Sequence, residues 1–278
     1  MNTTYLCRSL MVTSALRMDR FVKGQTAGAD INLIDLEDAV PQADKERARN
    51  EFLRLERAEV TGTLGLRINS LQTRDGLEDL IAVLDSPTEP DIIVVPKVES
   101  PHQIEHVDGV LGRAGRRSRL WALVETPKGV SDAMSIATCS DRLVALTFGL
   151  ADYAAEMGAS MEWEAMLFAR SQVVTAARGA GIDAVDAPTF DLDDLGLLRA
   201  ESRRSADMGF SGKIAIHPRQ LPVINEIYSP TAQAVEWAQE VVSTFERESA
   251  GILTVGSLMV GPPFLKKARS ILALVEDE

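Results

Sequence analysis

The sequence predicts an α/β fold in which eight parallel strands close into a (β/α)8 barrel of the TIM type, followed by a C-terminal helical extension. Two observations predict it. Short apolar runs, too brief for buried helices, alternate eight times with segments of helical spacing before residue 230. Several of those runs stop at a proline, a glycine or an acid, as buried parallel strands do where their C-terminal ends reach a rim. An open doubly wound sheet would show fewer repeats.

In chain order, Leu10-Met11-Val12 predicts the first strand, and residues 18–27 a helix that ends at Gly28. The second strand, 31–36, runs into Glu37-Asp38-Ala39-Val40-Pro41, so acids gather where it ends. A helix over 45–58 leads to a third strand, 64–69, with Arg67 near its end. Helical spacing over 76–84 precedes the fourth strand, Ile92-Ile93-Val94-Val95, which Pro96 stops. A helix over 101–111 and the basic loop 113–119 lead to Trp121-Ala122-Leu123-Val124, whose end delivers Glu125 before Pro127. Helix 129–137 and strand 143–148 follow; that strand runs out through Gly149 and leaves Asp152 just beyond. Residues 151–161 read as an excursion above the sheet. Helix 163–180, a weak strand at 182–186, helix 193–208 and strand 213–216, ending at His217-Pro218, complete the repeats. The tail differs: a helix over 231–248, a glycine-punctuated stretch at 251–261 and a last helix from Pro263. We therefore expect a catalytic barrel at 1–229 and an extension at 230–278 that covers the barrel or crosses to a neighbouring subunit.

The 278 residues are 45% hydrophobic and 25% charged, which suits one large globular domain with an appendage. A net charge of -12 excludes nucleic acid and anionic membranes as general partners, while leaving room for a local basic pocket. Arg8 and Arg17 bracket the only apolar piece near the N-terminus, and no run approaches the roughly 18 residues of a membrane span. Cys7 and Cys139 are far apart and fit no metal spacing. A reduced, cytoplasmic protein is expected.

Glu125 and Asp152, from neighbouring strand ends, lie close enough in such a barrel to share one hard cation. With Asp35, Glu37 and Asp38 on the same rim, cations or protons are needed to relieve the repulsion; a divalent ion does so, and oxygen ligands without a His or Cys pattern fit Mg²⁺ completed by water and substrate oxygens. Each acid could instead cap the helix that follows it. Arg67 suits a substrate carboxylate, or an internal ion pair with Glu37 or Asp38. Lys97 could add a second positive charge or act structurally. His217 before Pro218 reads more readily as scaffold than as a base, and His102 and His106 as surface residues.

Asp35-Leu36-Glu37-Asp38-Ala39-Val40, Arg67-Ile68-Asn69, Pro96-Lys97-Val98-Glu99-Ser100, Val124-Glu125-Thr126-Pro127, Phe148-Gly149-Leu150-Ala151-Asp152-Tyr153 and Gly209-Phe210 through Ile216-His217-Pro218 recur as a set. In that order they resemble the citrate lyase beta subunit-like branch of the aldolase and citrate lyase superfamily, which includes malyl-CoA lyases. The resemblance implies a Mg²⁺-dependent barrel that makes or breaks a carbon-carbon bond beside a 2-oxo acid, often with an acyl-CoA as the other fragment. It implies Glu125 and Asp152 as metal ligands, Arg67 as the ligand of the oxo acid carboxylate, and Glu37, Asp38 and Lys97 as supports around them. A homo-oligomer, trimer or hexamer, is also implied. Two departures stand out: the family's Val-Pro-Gly turn is Val12-Thr13-Ser14-Ala15 here, and Gly261 stands where thioester-using members carry an acid-base aspartate after Met259-Val260. The expected activity is a lyase acting on a small 2-oxo or 3-hydroxy acid or its CoA thioester. Thioester hydrolysis, or metal and oxo acid binding without turnover, are the rival readings.

Overall fold

The computed structural model describes residues 6–248 and 251–276. Two compact units divide them, Cys7 to Glu226 and a second that takes in Leu6 and the residues from Ile227 onward, against the expected boundary of 229/230. The outermost ends of the two expected segments, 1–5 and 277–278, lie outside the described residues.

The first unit is a closed barrel of β1 (Ser9–Ser14), β2 (Ile31–Asp35), β3 (Thr63–Arg67), β4 (Ile92–Val95), β5 (Arg119–Val124), β6 (Leu143–Phe148), β7 (Asp183–Asp186) and β8 (Gly212–Ala215). Every neighbouring pair is parallel and β8 returns to β1. Because side chains alternate along a strand, residues 31, 33 and 35 share one face, as do 121, 123 and 125. Ile31, Leu33, Ile92, Val94, Trp121 and Leu123 belong to one buried cluster that fills the barrel. Gly65 lies in register with Leu33, and a Cβ there would press on the Leu33 and Ile31 side chains, so glycine makes room for the larger residues beside it. One step further toward the C-terminal ends, the inward positions change from apolar to Asp35, Arg67 and Glu125. That change of chemistry on a continuous face builds the site.

The outward face is tied to its helices by a second polar group. Asp186 and Lys213 are in register on β7 and β8, and both are fully buried. Asp186 accepts from Arg170 Nε at 2.9 Å and from Lys213 Nζ at 3.1 Å. Arg170, on helix Trp163–Ala180, also lays its guanidinium over Trp163 at 4.3 Å and Phe148 at 5.3 Å.

The elements begin and end where local chemistry dictates. Helix Pro101–Arg113 opens with proline at its first turn and a capping box between Ser100 and Gln103, and Thr73, Thr126, Asp194 and Thr231 cap their helices with side-chain oxygens. Several expected bounds move. The helix expected over 18–27 is Met18–Gly24 followed by a 3-10 turn, and that expected over 45–58 stops at Leu53. The helix expected over 129–137 starts at Pro127 and breaks at Asp132 into two short pieces. Residues 151–161, expected as an excursion above the sheet, carry most of helix Leu150–Met157, which Gly149 precedes as its N-cap and which ends at Gly158 in the left-handed conformation. Alanines at 151, 154 and 155 favour it.

In the second unit, helix Ala232–Arg247, an antiparallel pair Leu253–Val255 with Leu258–Val260, and helix Pro262–Glu276 surround a small core of Ala238, Val241, Leu253, Val255, Val260 and Ala268. Among the described residues no helix is long and apolar enough to cross a membrane.

Candidate active site

The inward charged residues collect at the C-terminal ends of β2 to β6, five consecutive staves of the barrel. Asp35 ends β2 fully buried and receives both Arg67 Nε at 2.7 Å and Arg67 Nη2 at 2.6 Å. The pairing follows from register, since Asp35 and Arg67 are direct partners across β2 and β3. Backbone N–H groups of Glu37 and Ala39 donate to the same carboxylate at 2.9 Å. Burial alone would raise the Asp35 pKa, but Arg67 outweighs it and holds this carboxyl below its usual range. Arg67 is correspondingly pushed up against its own burial.

Arg67 Nη1 is held more loosely, 3.1 Å from Glu37 Oε2 and 3.4 Å from Asp38 Oδ2. The contact to Glu37 lacks hydrogen-bond alignment, and Glu37 Oε2 is buried without an aligned donor. Glu37 Oε1 accepts from Lys97 Nζ at 2.7 Å. The loop that presents these acids is fixed from below, where Lys45 Nζ donates to the carbonyls of Leu36 and Glu37 at 2.9 and 2.7 Å and Asn69 Nδ2 to Leu36 at 2.9 Å. Above it, Ser14 Oγ donates to the Ala39 carbonyl at 2.8 Å. Lys45 is a support that the sequence did not single out, and Asn69 and Ser14 were named only within longer stretches, without this role, because bonds to distant carbonyls leave no local pattern.

Lys97 turns the chain after β4. It is the only non-glycine residue with positive φ among the described residues, at 51°. In this conformation its backbone N–H donates to Glu125 Oε1 at 2.9 Å while its ammonium reaches Glu37. Glu125 follows β5 and is 2% exposed. Burial, then the negative charges of Glu37 and Asp152, push its carboxyl up to about 8, and Lys97 and Arg67 offset them only in part.

Gly149 completes the wall. Its N–H donates to the Val124 carbonyl at 3.0 Å, and a Cβ at this position would run into the Cβ and carboxylate of Glu125. Glycine here lets helix Leu150–Met157 start against Glu125, and so brings the half-buried Asp152, in the first helical turn, within the electrostatic reach of Glu125 and Lys97. All six residues singled out, Arg67, Glu125, Asp152, Glu37, Asp38 and Lys97, thus fall in one linked cluster. The internal ion pair foreseen for Arg67 is present, with Asp35 as an additional and stronger partner.

A divalent cation suits this donor set. Glu125 is a buried carboxylate raised by two neighbouring carboxylates, and Glu37 Oε2 lacks an aligned donor, so added positive charge would lower the energy of the cluster. Among the described residues no three His, Cys, Asp or Glu side chains group as a full ligand set, so a cation between Glu125 and Asp152 would draw its remaining oxygens from water or substrate.

The histidines stand apart. His217 Nδ1 accepts from the Arg219 backbone N–H at 3.1 Å and caps the turn after β8. His102 pairs with Glu105 on the surface at 2.8 Å, and His106 is exposed.

Residues 8–218 match the HpcH/HpaI aldolase/citrate lyase family. The L-malyl-CoA/beta-methylmalyl-CoA lyase of Rhodobacter capsulatus is 32% identical over 92% of this chain and 90% of its own length. Among solved structures, RipC from Yersinia pestis is 41% identical, with a TM-score of 0.75 over 84% of this chain and 99% of that one. The protein CitE from Mycobacterium tuberculosis, in complex with magnesium, acetoacetate and coenzyme A, is 30% identical, with a TM-score of 0.80 over 96% and 97%.

Proposed function

Because the chain belongs to the HpcH/HpaI aldolase/citrate lyase family, we propose that it is a Mg²⁺-dependent carbon-carbon lyase acting on a small 2-oxo or 3-hydroxy acid or its CoA thioester. The observation that carries the reading is the Glu125 carboxylate, sealed in the barrel mouth beside Asp152 and Glu37 and raised to about 8. Such a group costs stability unless it serves a ligand.

In this reading Glu125 and Asp152 hold the cation. When bound, Mg²⁺ draws electron density from the substrate carboxylate and the adjacent oxygen, easing the negative charge that develops there. Arg67 orients the same carboxylate through Nη1, its loosely held edge, while Asp35 grips the opposite edge and keeps the guanidinium planar to the barrel mouth. Glu37 and Asp38 compete for Nη1 until the substrate takes their place. The Lys97 backbone N–H fixes the rotamer of Glu125, and Gly149 lets Asp152 approach it. Cleavage takes the proton from the 3-hydroxyl, turns that carbon–oxygen bond into an oxo group and leaves the electron pair of the broken carbon–carbon bond on the other fragment as an enolate; the enolate then takes up one proton, balancing the one the hydroxyl lost. Condensation is the reverse.

The test is Glu125→Gln, which keeps an acceptor for the Lys97 N–H but removes the charge. Calorimetry should show Mg²⁺ binding in the parent and none in the variant. Turnover of 3-hydroxyacyl-CoA, followed as free oxo acid, should vanish with it. A variant that binds Mg²⁺ and turns over as the parent does would end this reading.

A further inference from the structure

The cluster contains two cationic side chains, and they are committed to different degrees. Arg67 spends Nε and Nη2 on Asp35 and shares Nη1 between Glu37 and Asp38. It is mostly a strut. Lys97 Nζ makes a single hydrogen bond among the described residues, to Glu37 Oε1, and an ammonium has three donors. Its side chain is 36% exposed and lines a cavity of about 710 Å³ on the Glu37, Asp38 and Asn69 side of the mouth, while its backbone N–H holds Glu125 and its ammonium lies within the electrostatic reach of Glu125 and Asp152.

The backbone at Lys97 adds an independent observation. A left-handed conformation in a residue other than glycine is strained and persists only where the surroundings enforce it. The Glu125 carboxylate on Lys97 N–H and the Gln103 amide on the Lys97 carbonyl enforce it here. Glycine would meet the same backbone demand without strain. What lysine adds at this position is an ammonium that stands between Glu37 and the mouth of the barrel.

We propose that Lys97 is a second substrate-binding residue, whose ammonium, across the Glu37 carboxylate from Arg67, donates directly to an anionic oxygen of the oxo acid. The assignment rests on the reading of this cluster as an oxo acid site. Glu37 holds Nζ in place before the substrate arrives, and the remaining donors face the cavity. The anion is then met by one rigid planar cation and one mobile point charge, which fixes its direction through Arg67 and adds affinity through Lys97.

The experiment uses the full chain, with oxalate as the probe because it offers a carboxylate and neighbouring oxygens as a 2-oxo acid does. Mg²⁺ affinity alone, and oxalate affinity at saturating Mg²⁺, are measured by calorimetry for the parent, Lys97→Met and Lys97→Arg. Lys97→Met retains an unbranched stem and the same backbone strain, and its fold is checked by its melting temperature. The expected result is Mg²⁺ affinity in Lys97→Met no weaker than in the parent, oxalate affinity lower by about tenfold or more, and partial recovery in Lys97→Arg. Unchanged oxalate affinity in Lys97→Met overturns the proposal. So does a parallel loss of Mg²⁺ affinity, which would show that Lys97 acts by shaping Glu125 and Glu37. A parent that binds no Mg²⁺ overturns the underlying reading, and this assignment falls with it.

Discussion

Gly149→Ala is the most discriminating single change in the cluster. The backbone there has φ -100° and ψ 93°, which any L-residue adopts, so the substitution adds no conformational strain. Its whole effect comes from one methyl group placed against Glu125. Glu125 cannot swing aside cheaply, because it is 2% exposed and its Oε1 is held by the Lys97 N–H at 2.9 Å. Overpacking of this kind costs about 1–3 kcal/mol. For a chain of this size that lowers the melting temperature by roughly 2–10 °C. To the extent that Glu125 yields, its oxygens move relative to Asp152, and a hard cation with strict distance demands loses affinity, by about tenfold or 1.4 kcal/mol. Scanning calorimetry and Mg²⁺ titration read both effects. Gly109→Ala is the control: it lies within helix Pro101–Arg113, a Cβ there meets nothing within 4 Å, and alanine should leave stability equal or higher. A Gly149→Ala variant with parental melting temperature and parental Mg²⁺ affinity refutes the close approach of helix Leu150–Met157 to Glu125, and with it the shared site.

Two further outcomes follow from the ion pairs. Asp35→Asn removes the charge that grips both Nε and Nη2 of the half-buried Arg67 and should cost about 3 kcal/mol in urea unfolding, the lower end for breaking a buried pair; a loss under about 1 kcal/mol contradicts the strut. Asp186 gives a pH dependence. Burial tends to raise its pKa, but Lys213 and Arg170 hold it below the ordinary value, so the unfolded chain binds the proton more tightly. Its contribution is complete above the unfolded pKa near 3.9 and is lost as pH falls through the folded value. The stability gap between the parent and Asp186→Asn, measured by urea midpoints, should therefore narrow from pH 7 toward pH 3. A constant gap would show that Asp186 does not titrate with folding.

The barrel was legible because eight buried runs and their terminators repeat along the chain, and each run needs only its own residues to be read. Glu125 was legible for the same reason: it directly follows four apolar residues and stands two positions before a proline, so neighbouring residues alone place it at a strand end. The role of Asp35 was not, since pairing it with Arg67 requires the register of β2 on β3, which depends on a contact 32 residues away. Lys45 and Asn69 act on carbonyls, a role that left no trace in the pattern. Helix Leu150–Met157 was not singled out within the excursion at 151–161; it is bounded by glycines, Gly149 as its N-cap and Gly158 as its left-handed cap, so no capping side chain marks where it begins. The hairpin of the second unit had a signal, Gly256-Ser257 between two three-residue strands, but Gly251 and Gly261 on either side give the whole stretch the look of a loop.

Two of the buried ionic clusters among the described residues, one around Asp186 and one at the barrel mouth, differ in a way that indicates which is built for a ligand. Asp186 faces Arg170 and Lys213, two cations to one carboxylate, with Glu201 at 3.8 Å balancing the second, and its pKa is held down. Charge there is matched within the fold, and the group serves to fasten helix to barrel. At the barrel mouth the carboxylates of Asp35, Glu37, Asp38, Glu125 and Asp152 are met, among the described residues, by the side chains of Arg67 and Lys97. Asp35 claims most of Arg67 and is held down, whereas Glu37 and Glu125 are pushed up, by burial first and then by repulsion from neighbouring acids that Arg67 and Lys97 offset only in part. Buried ion pairs that are complete can be exchanged for apolar residues at little cost, whereas an excess of one sign must be offset by something that binds. The excess here is negative, oxygen-only and located at the C-terminal ends of parallel strands, where barrels of this type place their chemistry. A hard divalent cation satisfies all three conditions, and once it is bound an anionic oxo acid meets a mouth whose charge no longer repels it.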